Sequence, residues 1–300
     1  MRILISTILI FVFCSINLIA QKNEITDKLR ESRIDSLLDV IVFDEQAKSP
    51  STVLKTRYQF LYVRTSYSSN TYFAGREIGE NQYNQSGQVF YLNSNGIYAG
   101  VAGTWYSQLD PGYRTTVLSL GYGKSLKNMK FLRYRFSSDY FLYHNDNPDF
   151  EPLYSGAINA GLTLKSKNLG TRGGVSFLIG KEFGTQATWN VYSYINLVKL
   201  GKYDKIRLGP EASLYFGSES VEYQLNEVLI DTLTNTSYTS YYKNEFGLLN
   251  IQIELPLSIN YKSFDLEAAW IYNFPQTMNK GKSYPENWFF RISLGYIFKL

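Results

Sequence analysis

The last fourteen residues of the chain, Asn287–Leu300 (NWFFRISLGYIFKL), alternate between an apolar face and a more polar one. Every second residue from Trp288 onward is aromatic or aliphatic, whereas Arg291 and Ser293 belong to the other face. A period of two residues is the signature of a β-strand. Globular strands are usually about 5–6 residues long. A strand more than twice that length, with one apolar face, predicts the wall of a barrel that faces lipid.

The end of this strand resembles the C-terminal targeting signal of Gram-negative outer-membrane barrels. That signal combines a polar residue, a glycine and two alternate hydrophobic or aromatic residues, which Ser293, Gly295, Phe298 and Leu300 match; the final residue is Leu where Phe is common. The resemblance implies a location in the bacterial outer membrane, contact with outer-membrane lipid and delivery by the barrel-assembly machinery. It implies no particular activity.

The first twenty residues predict a secretory signal peptide. Arg2 precedes an apolar run that starts at Ile3, and cleavage is expected after Ala20. A retained membrane helix is disfavoured because polar residues interrupt the run. A lipoprotein would need lipidation of Cys14, which the bulky Phe13 before it disfavours.

Composition excludes several classes of function. Cys14 is the only cysteine, so a processed chain has no disulfide, thiol nucleophile or thiolate metal site. The formal net charge of +4 is too small to predict a nucleic-acid partner. The mean hydropathy of −0.22 disfavours a helical membrane protein. It is compatible with a barrel, in which polar and apolar residues alternate and cancel in any average.

Three regions are predicted along the chain: a signal peptide (residues 1–20), a periplasmic segment (21–54) and an outer-membrane barrel (55–300). Apolar residues recur at helical spacing within residues 26–48, and Pro50 follows, so this part is predicted to form a short amphipathic helix. The helix would cover the barrel mouth, plug the lumen or dock a periplasmic partner. Its amphipathicity shows only that one face needs cover.

Twelve segments after Lys55 have the alternation and turn signals of strands. They are Thr56–Tyr67, Gln88–Leu92, Ile97–Tyr106, Thr115–Gly123, Phe131–Tyr143, Leu153–Lys165, Gly173–Lys181, Thr188–Leu200, Ile206–Gly217, Leu248–Asn260, Phe264–Asn273 and Asn287–Leu300. Long connections, including the polar stretches Ser68–Gly87 and Ser218–Asn244, alternate with short ones. This pattern predicts an all-β fold: a transmembrane, antiparallel, up-and-down β-barrel of about twelve strands, with the short N-terminal helix before it. A soluble β-sandwich is the alternative, because alternation alone does not distinguish lipid from a protein core.

The same alternation assigns residues to the two faces of the predicted wall. The tryptophans fall in the outward phase near the outer ends of strands, as an aromatic girdle would: Trp105, Trp189, Trp270 and Trp288. Ten charged residues fall in the inward phase: Arg133, Arg135, Asp139, Lys165, Arg207, Glu211, Glu254, Asp265, Glu267 and Arg291. Those from Arg207 to Arg291 are expected to form an ion network across consecutive strands.

The favoured function is a pore or transporter for small polar solutes, selected by the charged lining. The alternative is a closed barrel, filled by its own side chains, that serves as a structural, adhesion or assembly anchor through its outer loops. A lipid hydrolase is a remote alternative. It would need a serine and an orienting group beside His144, the single histidine, and no serine motif of that kind accompanies it. We therefore predict no enzyme, no cofactor and no metal site.

Overall fold

The computed structural model describes residues 59–73, 76–77, 82–126, 129–144, 151–166, 168–200, 204–231, 236–279 and 282–300. The predicted signal peptide and periplasmic helix lie outside these ranges. Twelve strands form the wall: β1 (Gln59–Ser68), β2 (Asn84–Asn93), β3 (Ile97–Tyr106), β4 (Tyr113–Leu126), β5 (Met129–Tyr143), β6 (Tyr154–Lys165), β7 (Leu169–Gly180), β8 (Gly184–Ser193 and Ile195–Lys199), β9 (Lys205–Leu208 and Glu211–Asp231), β10 (Thr236–Tyr261), β11 (Phe264–Pro275) and β12 (Asn287–Lys299).

Each strand pairs antiparallel with its neighbour in the chain, and β1 pairs with β12, which closes the barrel. The prediction of a twelve-stranded antiparallel barrel is therefore confirmed. Two strands are interrupted: β8 at Tyr194 and β9 at Gly209 and Pro210. Pro210 has no N–H to donate to a neighbour. A two-stranded hairpin, Tyr72–Phe73 with Arg76–Glu77, lies in the connection after β1.

The outward face of the wall is apolar along almost its whole circumference. Outward side chains such as Leu120, Phe136 and Leu162 are more than half exposed although they are large and hydrophobic. In β12 the predicted phase is present, since Phe290 and Leu294 are exposed whereas Ser293 is 2% exposed. An exposed apolar surface of this extent needs a nonpolar medium or a partner to cover it.

The turn between β2 and β3 shows how local sequence fixes a connection. The predicted tight turn at Asn93–Gly96 is present: the Gly96 amide donates to the Asn93 carbonyl at 2.9 Å, and Asn95 N donates to Asn93 Oδ1 at 2.8 Å. Gly96 has a φ of +96°, and a Cβ there would overlap the carbonyl oxygen of Gly123. Only glycine meets both demands without strain.

Two connections that were predicted to be loops are partly β-strand, so those predictions were wrong in part. Within Ser68–Gly87, residues 84–87 belong to β2, and most of Ser218–Asn244 is a hairpin in which β9 reaches Asp231 and β10 starts at Thr236. Residues 84–87 are polar on both strand faces and carry no apolar alternation, whereas Val221, Tyr223 and Leu225 do alternate with polar residues, a signal that was missed when the whole second stretch was read as polar. Backbone pairing does not require that alternation once a neighbouring strand sets the register.

No helix within the described residues is long and apolar enough to cross a membrane.

Candidate pore lumen

The inward face of the barrel carries most of the polar side chains that the wall buries. Three arginine–glutamate contacts connect β1, β10, β11 and β12. Arg291 Nη2 lies 2.5 Å from Glu254 Oε1 and 3.5 Å from Glu267 Oε1, and Arg64 Nη2 lies 3.4 Å from the same Glu267 oxygen. The guanidinium group of each arginine carries five N–H donors in a planar fork, which suits such shared contacts with carboxylates. Glu254, Glu267 and Arg291 were predicted for this network, whereas Arg64 was not.

A second ion pair joins β7 to β9. Arg172 Nη2 lies 3.2 and 3.1 Å from the two carboxylate oxygens of Glu211. Asn190, on the strand between them, donates to Glu211 Oε1 at 3.1 Å and to Ser213 Oγ at 2.6 Å. Glu211 was expected in one ion network with Arg207, Glu254 and Arg291; the register places Arg172 and Asn190 beside it.

Arg207 and Lys165 instead lie near the short-turn end of the barrel, around Tyr194. The Arg207 guanidinium carbon is 5.1 Å and Lys165 Nζ is 5.7 Å from the centre of the Tyr194 ring. These distances are typical of cation–π contacts. Arg207 is only 4% exposed. Asp265 Oδ1 accepts a hydrogen bond from Asn260 at 2.8 Å.

The remaining predicted residues lie on β5. Asp139 accepts hydrogen bonds from Ser119 Oγ and Asn159 Nδ2, both at 2.7 Å. Arg133 and Arg135 both line one cavity of the lumen, with a volume of about 340 Å³. Arg135 is exposed, and among the described residues it makes no hydrogen bond or ion pair. Its charge is therefore directed to the interior space of the barrel.

Three cavities occupy the lumen, with volumes of about 340, 310 and 300 Å³. Thr188 lines all three, Arg135 and Gly174 line the first and third, and Tyr215 and Gln252 line the first and second. The cavities are therefore adjacent. We call the first the arginine chamber, since four arginines and three glutamates line it: Arg133, Arg135, Arg172, Arg291, Glu211, Glu254 and Glu267.

We call the second cavity the aromatic chamber. Its lining is Tyr72, Gln186, Ala187, Thr188, Tyr215, Phe216, Leu249, Gln252, Asn273 and Phe289. Alternation in the sequence puts Leu249 in phase with Ile251 and Ile253 on the outward face of β10, but the structure buries it. A β-bulge next to Leu249 changes the pairing from Tyr215–Asn250 to Phe216–Leu248. Because the extra residue shifts the strand phase, Leu249 is buried and lines the lumen.

Three residues of the lumen were missed by sequence reasoning. Arg172 was placed outside its strand, because β7 was predicted to begin at Gly173. Arg64 shares the phase of Phe60 and Tyr62, and the burial of these two aromatic residues identifies that phase as inward. Alternation alone does not show whether this phase of β1 faces the lumen or the outside. Tyr72 belongs to a connection that carried no strand signal.

All four tryptophans face outward, with exposed fractions of 37–58%. Trp105 and Trp288 lie beside the outer ends of β3 and β12, whereas Trp189 and Trp270 lie further along β8 and β11. Trp189 Nε1 donates to Thr171 Oγ1 at 2.7 Å. This bond provides the indole N–H with an acceptor on an otherwise apolar surface.

The four residues of the targeting motif lie on both faces of the end of β12, the first two on the inward face and the last two on the outward face. Ser293 and Gly295 are buried, and Phe298 and Leu300 are exposed. A Cβ at Gly295 would overlap the ring of Tyr62 on β1. The glycine thus lets a large inward ring cover the seam where the barrel closes. Recognition by the assembly machinery stays a prediction.

His144 lies at the end of β5 on the outside of the barrel. Its Nε2 is 3.1 Å from Thr116 Oγ1, which also contacts Tyr113 Oη at 2.7 Å, and its ring packs on Tyr113 at 4.9 Å. A hydroxyl beside a histidine is one part of a hydrolase site. Within the described residues no group is hydrogen-bonded to the other ring nitrogen to orient it. No group of three or more possible metal ligands occurs among the described residues.

No protein-family model and no curated protein matches this sequence. The chain is similar in structure to the KdgM porin (9% identity, 79% of this chain and 98% of that chain, TM-score 0.45) and to the NanC porin (11% identity, 79% and 98%, TM-score 0.46). It is also similar to LpxR from Salmonella typhimurium (9% identity, 79% and 100%, TM-score 0.39).

Proposed function

We propose that this protein is an outer-membrane pore that passes small polar solutes and favours anions. The apolar outward face supports a position within a bilayer, since a closed barrel satisfies its backbone hydrogen bonds there and leaves no strand edge. The signal peptide and the C-terminal targeting motif, both predicted from the sequence, support the outer membrane as that bilayer. The three adjacent cavities of the lumen provide the path for the solutes.

The preference for anions rests on one observation, the exposed Arg135 in the arginine chamber. Each of the three glutamates that line this chamber contacts an arginine other than Arg135 within 3.5 Å. The glutamates of this chamber are thus already compensated, and the Arg135 charge acts on solutes there. The acid beside Arg135 in the third cavity, Asp139, lies outside the lining of the arginine chamber and accepts hydrogen bonds from Ser119 and Asn159. Charged side chains that line a narrow pore select ions by sign.

The test is the reversal potential of the refolded protein in a planar bilayer under a salt gradient. We expect anion selectivity that Arg135→Glu lowers by about fivefold or more, since one charge at about 4 Å is worth about 1 kcal/mol even in water. Arg135→Lys is the matched control, because it keeps the charge, and it should retain the selectivity. Equal selectivity of the Glu and Lys variants would contradict a role for Arg135. A correctly inserted protein that does not conduct would contradict the pore.

The β9–β10 hairpin favours one second function, an anchor that captures a partner outside the cell. The second part of β9, Glu211–Asp231, contains 21 residues and β10 contains 26, whereas about 9–11 residues suffice to cross a bilayer. The excess forms a paired extension beyond the barrel wall. Shortening the hairpin should then abolish capture of that partner by whole cells and leave conductance unchanged; unchanged capture would contradict the anchor.

A further inference from the structure

The aromatic chamber differs in chemistry from the arginine chamber beside it. No charged side chain is among its lining residues, all of which the structure describes. Aromatic rings and side-chain amides supply most of its surface. Burying a charge here would lose hydration without a compensating partner. The chamber therefore suits an uncharged solute that has both apolar and hydrogen-bonding parts.

The position of Tyr72 in this chamber is fixed by the connection between β1 and β2. Thr71 Oγ1 donates to the Gln82 carbonyl at 2.7 Å and accepts from Asn84 Nδ2 at 2.9 Å, and Thr71 and Gln82 are 5% and 1% exposed. Asn70 Nδ2 donates to the Tyr72 hydroxyl at 2.9 Å. The ring is thus held in place before any solute arrives, which reduces the entropy cost of binding.

Tyr72 and Phe289 together form one apolar surface. Their ring centres are 5.2 Å apart and their planes are inclined by 34°. Rings at this separation are in contact with each other, so no flat aromatic solute fits between them. They can instead support the apolar face of a ring that lies on one side of the pair.

The hydrogen-bonding groups of the chamber remain available to a solute. Gln186 and Gln252 line it, and neither side chain makes a hydrogen bond within the part of the chain that the structure describes. Each amide offers two donor hydrogens and an acceptor oxygen. The Thr188 hydroxyl, at the boundary with the other two cavities, adds a third group of mixed character.

We propose that the aromatic chamber binds a neutral hydroxylated ring, that is, one residue of a sugar. A sugar ring has an apolar C–H face for Tyr72 and Phe289, and hydroxyls that both donate and accept, as the two glutamines do. A volume of about 310 Å³ lies at the lower end of the range of small-molecule sites, roughly 300–1,000 Å³. This inference rests on the proposed function, because it makes the chamber a binding site along the pore.

The experiment measures block of the ion current by maltose in planar bilayers, and binding of maltose by calorimetry to the refolded protein in detergent micelles. Sorbitol is the control solute, since it has hydroxyls but no ring. We expect saturable block and binding by maltose and little of either by sorbitol. Tyr72→Ala should weaken both at least about fivefold, and Gln252→Ala about threefold. Phe183→Ala removes an exposed ring outside the chamber and should change neither.

Several results would overturn the sugar site. These are equal effects of maltose and sorbitol, maltose affinity unchanged in Tyr72→Ala, or block by adenosine but not by maltose, which would indicate a site for flat aromatic solutes. Channels that conduct without responding to maltose overturn the site and leave the pore intact. Protein that does not conduct but binds maltose with the expected dependence on Tyr72 overturns the pore and supports the site.

Discussion

The two halves of the lumen wall are built differently although both obey the same strand alternation. On β9–β12 the inward residues are large or polar and almost completely buried: Asn250 and Ser258 are 0% exposed, Asn273 is 1% and Asp265 is 4%. On β5–β8 small residues such as Gly161 and Gly174 face the cavities. We call these the filled half and the open half.

The glycines of the open half have space around them. A Cβ on Gly161 would meet no atom closer than 3.5 Å, and one on Gly174 none closer than 3.4 Å. Packing therefore does not require glycine at these positions. Filling one half with buried, bonded side chains and placing glycines among the inward residues of the other keeps a cavity in a barrel of only twelve strands. The difference teaches that the size of inward residues, and not strand number alone, decides whether such a barrel is open.

The largest expected effect is on the filled half, for Glu267→Ala. This substitution removes the carboxylate that contacts both Arg64 and Arg291, and leaves buried cationic groups with less compensation. We expect the free energy of unfolding to fall by about 3 kcal/mol, measured by guanidinium titration in detergent micelles with tryptophan fluorescence. Asp139→Ala on β5 is the matched change and should have a smaller effect. A larger loss for Asp139→Ala would break the distinction between the halves.

A smaller effect is expected for Asn273→Ala. Asn250 Nδ2 donates to Asn273 Oδ1 at 2.9 Å, and Asn273 Nδ2 donates to Asn287 Oδ1 at 2.8 Å, so one side chain connects three strands. Its removal leaves a buried donor and an acceptor without partners, at a cost of about 2 kcal/mol. The same guanidinium titration measures it. Asn159→Ala is the control on the open half, where water in the cavity replaces lost bonds; equal losses would contradict the contrast.

Sequence reasoning predicted the barrel and the inward phase of β5, β11 and β12, because alternation depends only on neighbours along one strand. It did not predict which charges meet. Contacts such as Arg172 with Glu211 depend on the stagger of strands around the barrel, and the alternation pattern is unchanged when a strand slides by two residues.

The aromatic chamber was the least predictable part of the lumen, for two reasons. Tyr72 enters it from a connection, where no periodicity constrains direction. Leu249 enters it because a bulge reverses the phase, and its place in the regular apolar series of β10 gave no sign of this. For the filled half, alternation predicted which residues face inward but not which of them contact each other. For the open half, Gly161 and Gly174 indicate the space, but a strand pattern based on alternation does not record the size of inward residues.

The smallest expected effect in energy is also the sharpest test of the open half. Gly174→Leu places a side chain at the boundary of two cavities, where its Cβ meets only the Thr188 hydroxyl at 3.4 Å and the Ala160 carbonyl oxygen at 3.8 Å. Because the site has space, the free energy of unfolding should change by less than about 0.5 kcal/mol. Single-channel conductance should fall by roughly half, since a leucine obstructs part of a narrow path. Val191→Leu, an outward position on the neighbouring strand β8 that lines none of the three cavities, adds one methylene and should leave conductance unchanged. If Gly174→Leu conducts as well as Val191→Leu, the path does not pass the open half. If it also unfolds much more easily, the glycine is there for packing, and the space beside it does not belong to a pore.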